Sequence, residues 1–241
     1  MKANADKFQC LALNRGTTLP FSISIQGNVI SSCSEIKVLG VTLDAELNFN
    51  SHISYICTKA SRQINILKRI SKYLNQESRI TVYKSFISSN FNYCPVAWIF
   101  CGKGNSQKLE KLQERALRFV YNDRSSDYTT LLNRGNFLSL KALRLRALSI
   151  EVYKSVRGLN PDYMNDMFEV KPPRYCLRDP YKLKQRKFKT KTYGYRSFGY
   201  YGSKLWNKLP VTLKSSDTLS IFKKRVTAWC HSSSIENLTI E

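Results

Sequence analysis

The sequence predicts an α+β fold: a small N-terminal antiparallel β-hairpin region, a mainly helical bundle, and a basic, aromatic C-terminal region. Three observations predict it. Apolar residues alternate at period two before residue 51, recur at helical spacing from about residue 50 to 170, and lose any clean period over 171–208. The expected divisions are therefore 1–51, 52–170 and 171–241.

The elements follow in order. Residues 8–13 form a short apolar run ended by Asn14-Arg15-Gly16. Residues 21–26 alternate strictly, with Phe21, Ile23 and Ile25 on one face. Gly27-Asn28 is expected as the two-residue turn, because both tolerate positive φ. Residues 36–43 read as a further strand in which Gly40 marks a bulge or a close backbone approach. Ile53, Ile56, Ala60, Ile64, Leu67, Ile70 and Leu74 then form one stripe of an amphipathic helix, with Arg62, Arg69 and Lys72 opposite. Asn50 or Ser51 is expected to cap its start. A second helix begins after Asn75, turns Ile80, Tyr83, Phe86 and Ile87 inward, and ends before Pro95.

A third helix, over 106–121, buries Leu109, Leu112, Ala116 and Val120 and runs Lys108, Lys111, Arg115 and Arg118 beside them. The fourth spans about 140–157, with Ser139 as cap and Gly158 past its end; apolar on nearly every side, it belongs in the middle of the cluster. Gly194, Gly199 and Gly202 read as helix breakers, so 171–208 is expected as extended segments or loops. A last helix, about 218–230, turns Leu219, Phe222, Val226 and Trp229 inward.

Lysine and arginine number 39 against 17 Asp and Glu in 241 residues, a net charge of +22. That excludes an acidic or neutral binder and points to a polyanionic partner. A hydrophobic content of 42% supports a packed core rather than a disordered basic tail. The longest apolar run, residues 96–101, is too short to cross a membrane, and the N-terminus lacks the apolar core of a signal peptide. The expectation is an intracellular protein, nuclear or cytoplasmic, neither secreted nor membrane-bound. Seven cysteines read as free, buried thiols in a reducing compartment.

Catalytic signals are missing. His52 and His231 read as ordinary surface histidines without a Ser or Cys partner. Cys94 and Cys101 have no second pair at zinc spacing, and Cys230-His231 does not complete one. There is no phosphate-binding glycine loop, and the eight aspartates are never adjacent. The chain is expected to need no cofactor and not to be a complete enzyme. Nucleic-acid binding is favoured instead. Residues 171–208 carry half the net charge and interleave twelve basic residues with nine aromatics, the combination that neutralises phosphates and stacks unpaired bases. Lys184, Arg186, Lys187, Lys189 and Lys191, with Tyr193 and Tyr195, are the main expected contacts, and the Lys108–Arg118 stripe a smaller one. Phe198, Tyr200 and Trp206 are expected to pack internally instead.

These residues bring a family into view. The chain resembles the C-terminal part of non-LTR (LINE-type) retrotransposon reverse transcriptases over about residues 4–229. Asn4-Ala5-Asp6-Lys7-Phe8 looks like the Asn-x-x-Lys segment that follows the catalytic box. Lys37-Val38-Leu39-Gly40-Val41-Thr42-Leu43-Asp44, followed by Leu47, Phe49 and His52-Ile53, is similar to the primer-grip hairpin leading into the thumb. Tyr93-Cys94-Pro95-Val96-Ala97-Trp98, Lys111-Leu112-Gln113-Glu114-Arg115-Ala116, Ser197-Phe198 with Gly202, and Leu205-Trp206-Asn207-Lys208-Leu209-Pro210 follow in the family's order.

The resemblance implies that the 52–170 bundle is thumb-like, that Lys7 lies near an incoming nucleotide, and that Leu39 and Gly40 occupy the primer-grip position. It also implies RNA and DNA template–primer as partners. The Tyr/Phe-Ala-Asp-Asp box of the family does not occur in this chain. The expectation is a fragment, inactive alone, with Mg²⁺ needed only by the complete polymerase and a separate fingers–palm segment as a possible partner. The alternatives are a domesticated protein-interaction module and a polymerase active only by complementation.

Overall fold

The computed structural model describes residues 7–13, 21–171 and 179–232. It is α+β, with two short antiparallel strand pairs followed by helices, and it divides into two units, 1–133 and 134–241.

In the first unit, β1 (Ser22–Ile25) pairs with β2 (Asn28–Ser31), Ile25 opposite Asn28. The turn is therefore Gln26-Gly27, one residue earlier than expected. Both have positive φ, 52° and 82°, which matches the strand twist with glycine at the second position. Residues 36–43 are not one strand. β3 (Glu35–Val38) and β4 (Val41–Asp44) form a second hairpin around Leu39-Gly40, whose φ values are 46° and 85°. Gly40 makes the turn rather than a bulge. The 8–13 run meets the strands through a bridge between Cys10 and Ser32, and the Gln9 side chain accepts from Lys37 N in β3 at 3.4 Å.

The stripe helix, α1 (Asn50–Ile70), buries Ile53, Ile56, Ala60, Ile64 and Leu67 as its spacing requires. Its start is not capped by Asn50 or Ser51. The Asp44 carboxylate accepts from the backbone N–H groups of Glu46, Asn48 and Phe49, and the Asn48 side chain accepts from Asn50 N. Asp44, at the end of β4, and Asn48 thus satisfy two of the donors that a helix start leaves orphaned, those of Phe49 and Asn50. Asn75 caps α2 (Gln76–Val82), accepting from Ser78 N at 2.8 Å. A π-helical turn at Tyr83–Ile87 then leads into α3 (Ser88–Asn92). The wider turn buries Tyr83 and Ile87 and leaves Phe86 exposed, against expectation.

The long helix α4 (Lys103–Tyr121) starts earlier than predicted and packs on α1. It buries Leu109, Ala116, Leu117 and Val120, and Leu112 lies half-buried. A polar group, Gln113, is buried among them. Its amide donates to Tyr83 Oη at 2.9 Å, and its Oε1 lies 2.7 Å from the hydroxyl of Tyr128, the first residue of α5 (Tyr128–Arg134). Burial pushes the Tyr83 phenol up to about 12 and raises that of Tyr128.

The second unit is centred on α6 (Leu140–Val156), capped by Ser139 and closed by Gly158 at φ 68°, as predicted. After α7 (Asp162–Asn165), α8 (Phe198–Lys208) runs through the expected loop region. Its glycines do not break it. A Cβ on Gly202 would meet Val152 at 2.7 Å and Phe168 at 3.0 Å, so glycine there lets α8 approach α6 closely. Past α9 (Val211–Lys214), α10 (Leu219–His231) buries Phe222, Val226 and Cys230. Trp229 is only half-buried, and Thr218 caps the helix. Tyr153 stacks on Phe222 at 4.3 Å, and Trp206 lies 6.1 Å from Phe222. Trp206 is internal, as expected, and Phe198 and Tyr200 are half-buried against Phe168 and Phe188.

Two further expectations fail. His52 is not a surface residue: it is 2% exposed, its Nδ1 accepts from Thr42 N at 3.4 Å, and its ring lies 6.3 Å from Trp98. The thiols are not uniformly buried. Cys101 and Cys230 are buried, Cys33 and Cys94 are exposed, and Cys176 lies outside the described residues.

Candidate nucleic-acid interface

The first unit carries a cationic seam along α1 and α4. Arg62, Asn65 and Arg69 share one face of α1; Lys108, Lys111 and Arg115 share one face of α4. Arg115 Nη2 donates to Asn65 Oδ1 at 2.5 Å, which brings the two rows together. Lys108 also faces α1, because its charge opposes the rise that burial produces in the Cys57 thiol pKa. Arg62, Arg69, Lys108 and Lys111 are exposed and form no ion pair among the described residues. Arg118 does not belong to the free set. It donates to Glu114 at 2.6 Å and to the Arg124 carbonyl at 2.8 Å. Beyond α1, Lys72 sits over the Tyr73 ring at 4.7 Å, and Tyr73 is 76% exposed.

The Leu39-Gly40 turn projects from the same unit. Leu39 is 85% exposed, while the Tyr93 hydroxyl donates to its carbonyl at 2.5 Å. A Cβ on Gly40 would lie 3.5 Å from the Tyr93 ring. Trp98 Nε1 in turn donates to the Tyr93 carbonyl at 3.1 Å. Two family-like motifs thus meet at one hairpin tip. Lys7 is exposed, and Asn4, Ala5 and Asp6 lie outside the described residues.

In the second unit the basic segment is anchored by the Leu205–Pro210 motif. Asn207 accepts from Leu183 N at 2.8 Å and donates to Leu183 O at 2.9 Å, and Trp206 Nε1 donates to Tyr181 O. Leu183 bridges Val170 in antiparallel fashion. Lys187 and Lys189 stand exposed on this tether. Lys184 instead pairs with Glu169 at 3.2 Å, and Arg186 donates to the Asp166 carbonyl at 2.8 Å. Tyr195 is exposed but sets its ring edge-on to Tyr200 at 4.7 Å; Tyr193 is half-buried. The Lys191 side chain lies outside the described residues. Sequence reasoning missed a buried cation of this unit, Lys214. It is 1% exposed, and its Nζ lies 2.5 Å from Asp179 Oδ2.

The aspartates do local work. Besides Asp44, Asp123 accepts from the backbone and hydroxyls of Ser125 and Ser126, and Asp127 from Thr130. Those hydrogen bonds hold both carboxyls below the ordinary range. Among the described residues no three His, Cys, Asp or Glu side chains converge in a way that could hold a metal.

Fold and faces together define a class: a strongly basic α+β chain whose helical body displays unpaired cations. Comparison with curated proteins carries this further. The chain is similar to the probable RNA-directed DNA polymerase from transposon BS of Drosophila melanogaster, 25% identical over 125 residues. It is also similar to that from transposon X-element of the same fly, 26% over 115 residues, and to the RNA-directed DNA polymerase from mobile element jockey, 28% over 125 residues. The matches cover 50%, 46% and 50% of this chain but only 14%, 12% and 13% of those proteins. The chain therefore spans a small part of the length of its relatives. They bear out its resemblance to non-LTR retrotransposon reverse transcriptases, as a partial match. No family model and no solved structure matches it. Among the described residues no helix is long and apolar enough to cross a membrane.

Proposed function

We propose that this chain is a template–primer-contacting portion of a retrotransposon RNA-directed DNA polymerase, inactive by itself. The observation that carries the reading is the α1–α4 seam, four exposed cations without ion pairs along two packed helices. Such a row neutralises successive phosphates and gains from the counterions they release. Lys72 with the exposed Tyr73 ring offers a stacking platform at the end of α1. Arg115 and the partly neutralised Arg118 flank the seam.

Lys187, Lys189 and Lys191 extend the backbone contacts in the second unit, with Lys184 and Arg186 contributing less because each already holds a partner. Tyr193 and Tyr195 stack on unpaired bases. The Leu39-Gly40 tip contacts the primer end in the manner of a primer grip, and Lys7 lies toward the nucleotide side. Partners are RNA and DNA; the catalytic aspartates, and the Mg²⁺ they hold, come from a fingers–palm segment. The setting is intracellular, in nucleus or cytoplasm.

The test pairs binding with extension. Labelled single-stranded and primer–template oligonucleotides should bind with strong salt dependence, and no nucleotide should be incorporated without an added fingers–palm fragment. Absence of salt-dependent binding, or metal-dependent extension by the chain alone, overturns the reading.

A further inference from the structure

We propose that a cavity between α6 and α10 is a phosphate-binding site, separate from every residue assigned to nucleic-acid contact above. The cavity, about 440 Å³, is lined by Asn136, Arg146, Lys223, Lys224, Thr227, Ala228 and His231, with no carboxylate among them. Helix α10 itself contains no acidic residue.

Its central group is an oriented guanidinium. Arg146 is half-buried, and its Nε donates to Thr227 Oγ1 at 2.6 Å. The same hydroxyl donates to the Lys223 carbonyl at 2.7 Å, so it is fixed at the helix surface and fixes the arginine in turn. Both Nη groups are left without a hydrogen bond among the described residues. Two parallel N–H donors in a rigid plane match two oxygens of a tetrahedral oxyanion. Lys223 and Lys224 are exposed beside this fork and their ammonium groups have no partner among the described residues, and His231 and Asn136 complete the lining.

The neighbouring Arg225 shows what a cation does when the fold uses it: it donates to the Thr212 carbonyl and to Ser216 Oγ. Arg146, Lys223 and Lys224 line one site, and no carboxylate is among its described lining residues to offset their repulsion. A bound phosphate removes that repulsion and satisfies the open fork. The chemistry suits inorganic phosphate and a nucleic-acid backbone alike.

The test titrates the full chain with inorganic phosphate and, separately, with a single-stranded thymidine oligonucleotide, at ionic strength held constant with chloride. The readout is the ¹⁵N–¹H signals of Arg146 Nε and of the Thr227 and Ala228 amides. Saturable shifts at these signals with phosphate are expected, weakened at least tenfold in Arg146→Gln. The double variant Lys223→Gln/Lys224→Gln, which alters only exposed groups, should weaken binding about fivefold and keeps the test valid should Arg146→Gln fail to fold. Shifts at the same signals with the oligonucleotide identify the ligand as a backbone phosphate. Saturation by phosphate with no oligonucleotide binding anywhere supports the site and overturns the proposed function. Unsaturable shifts, equal in wild type and the lysine variant, overturn the site, whether or not oligonucleotides bind elsewhere.

Discussion

On α1 and α4, Arg62, Arg69, Lys108 and Lys111 stand on exposed faces with no ion pair among the described residues. In the 134–241 unit, Arg157, Lys184, Arg186, Lys214 and Arg225 each hold a carboxylate or a backbone carbonyl. The densest charge in the sequence lies in the second group's neighbourhood, yet the first group is the more available. Charge that closes a backbone or neutralises a carboxylate is structural, and a count of lysines and arginines does not separate it from charge offered to a ligand.

The largest effect should come from breaking the buried pair. Asp179→Ala leaves the Lys214 ammonium buried without its carboxylate and should cost about 3–5 kcal/mol in urea unfolding, whereas Lys111→Ala on the seam should stay within about 0.5 kcal/mol. Equal costs would erase the distinction between structural and available cations. Next comes nucleic-acid affinity. Replacing Arg62, Arg69, Lys108 and Lys111 by alanine should lower the slope of log affinity against log salt by about 3 on single strands, at about 0.7 per phosphate. Alanines at Lys184 and Arg186 should change that slope by less than about 1. A larger loss from the second pair inverts the comparison.

Packing gives a smaller step. Gly202→Ala forces a methyl against Val152 and Phe168 and should cost about 1–3 kcal/mol, while Gly199→Ala, whose Cβ would sit 3.6 Å from Met167, should be neutral or slightly stabilising. The smallest effect is a pH dependence confined to the first unit. Burial, reinforced by Lys37, lowers the His52 pKa from 6.5. The unfolded chain takes up the proton first as pH falls, so stability is full above about pH 6.5 and declines below it until the folded pKa is passed. His52→Asn should flatten that decline, read as hydrogen exchange in β4 at pH 7.5 and pH 5.5.

Much of the helical body was legible because a 3.6-residue period is written directly in residues such as Ile53, Ile56, Ala60 and Ile64. The same holds for Ser139 and Gly158, whose chemistry marks a start and a stop. The α8 helix was not legible: a glycine required by close packing and a glycine that ends a helix are the same letter. The Asp44 cap was hidden for a related reason, since the donor groups it satisfies lie two to five residues on, past a turn. The basic rows were visible as spacing. Which of their members are free depends on long-range partners, as Arg186 and the Asp166 carbonyl show across twenty residues. Composition marks Trp206 for the interior and the resemblance marks Trp206-Asn207 as a motif, but their hold on the backbone at Tyr181 and Leu183, more than twenty residues back, is not written in their neighbours.

The β3–β4 hairpin is tied at two points rather than one. Its tip hangs from Tyr93, Tyr93 is braced by Trp98, Trp98 lies against His52, and His52 holds Thr42 back in the hairpin. The contacts close a triangle, as in a truss. A load applied at Leu39 is therefore shared between the start of α1 and the segment after α3, and the hairpin cannot swing on its turn like a hinge. Pulled mechanically, it should yield together with those helix ends in one event, and a blow to any one strut should slacken the whole frame.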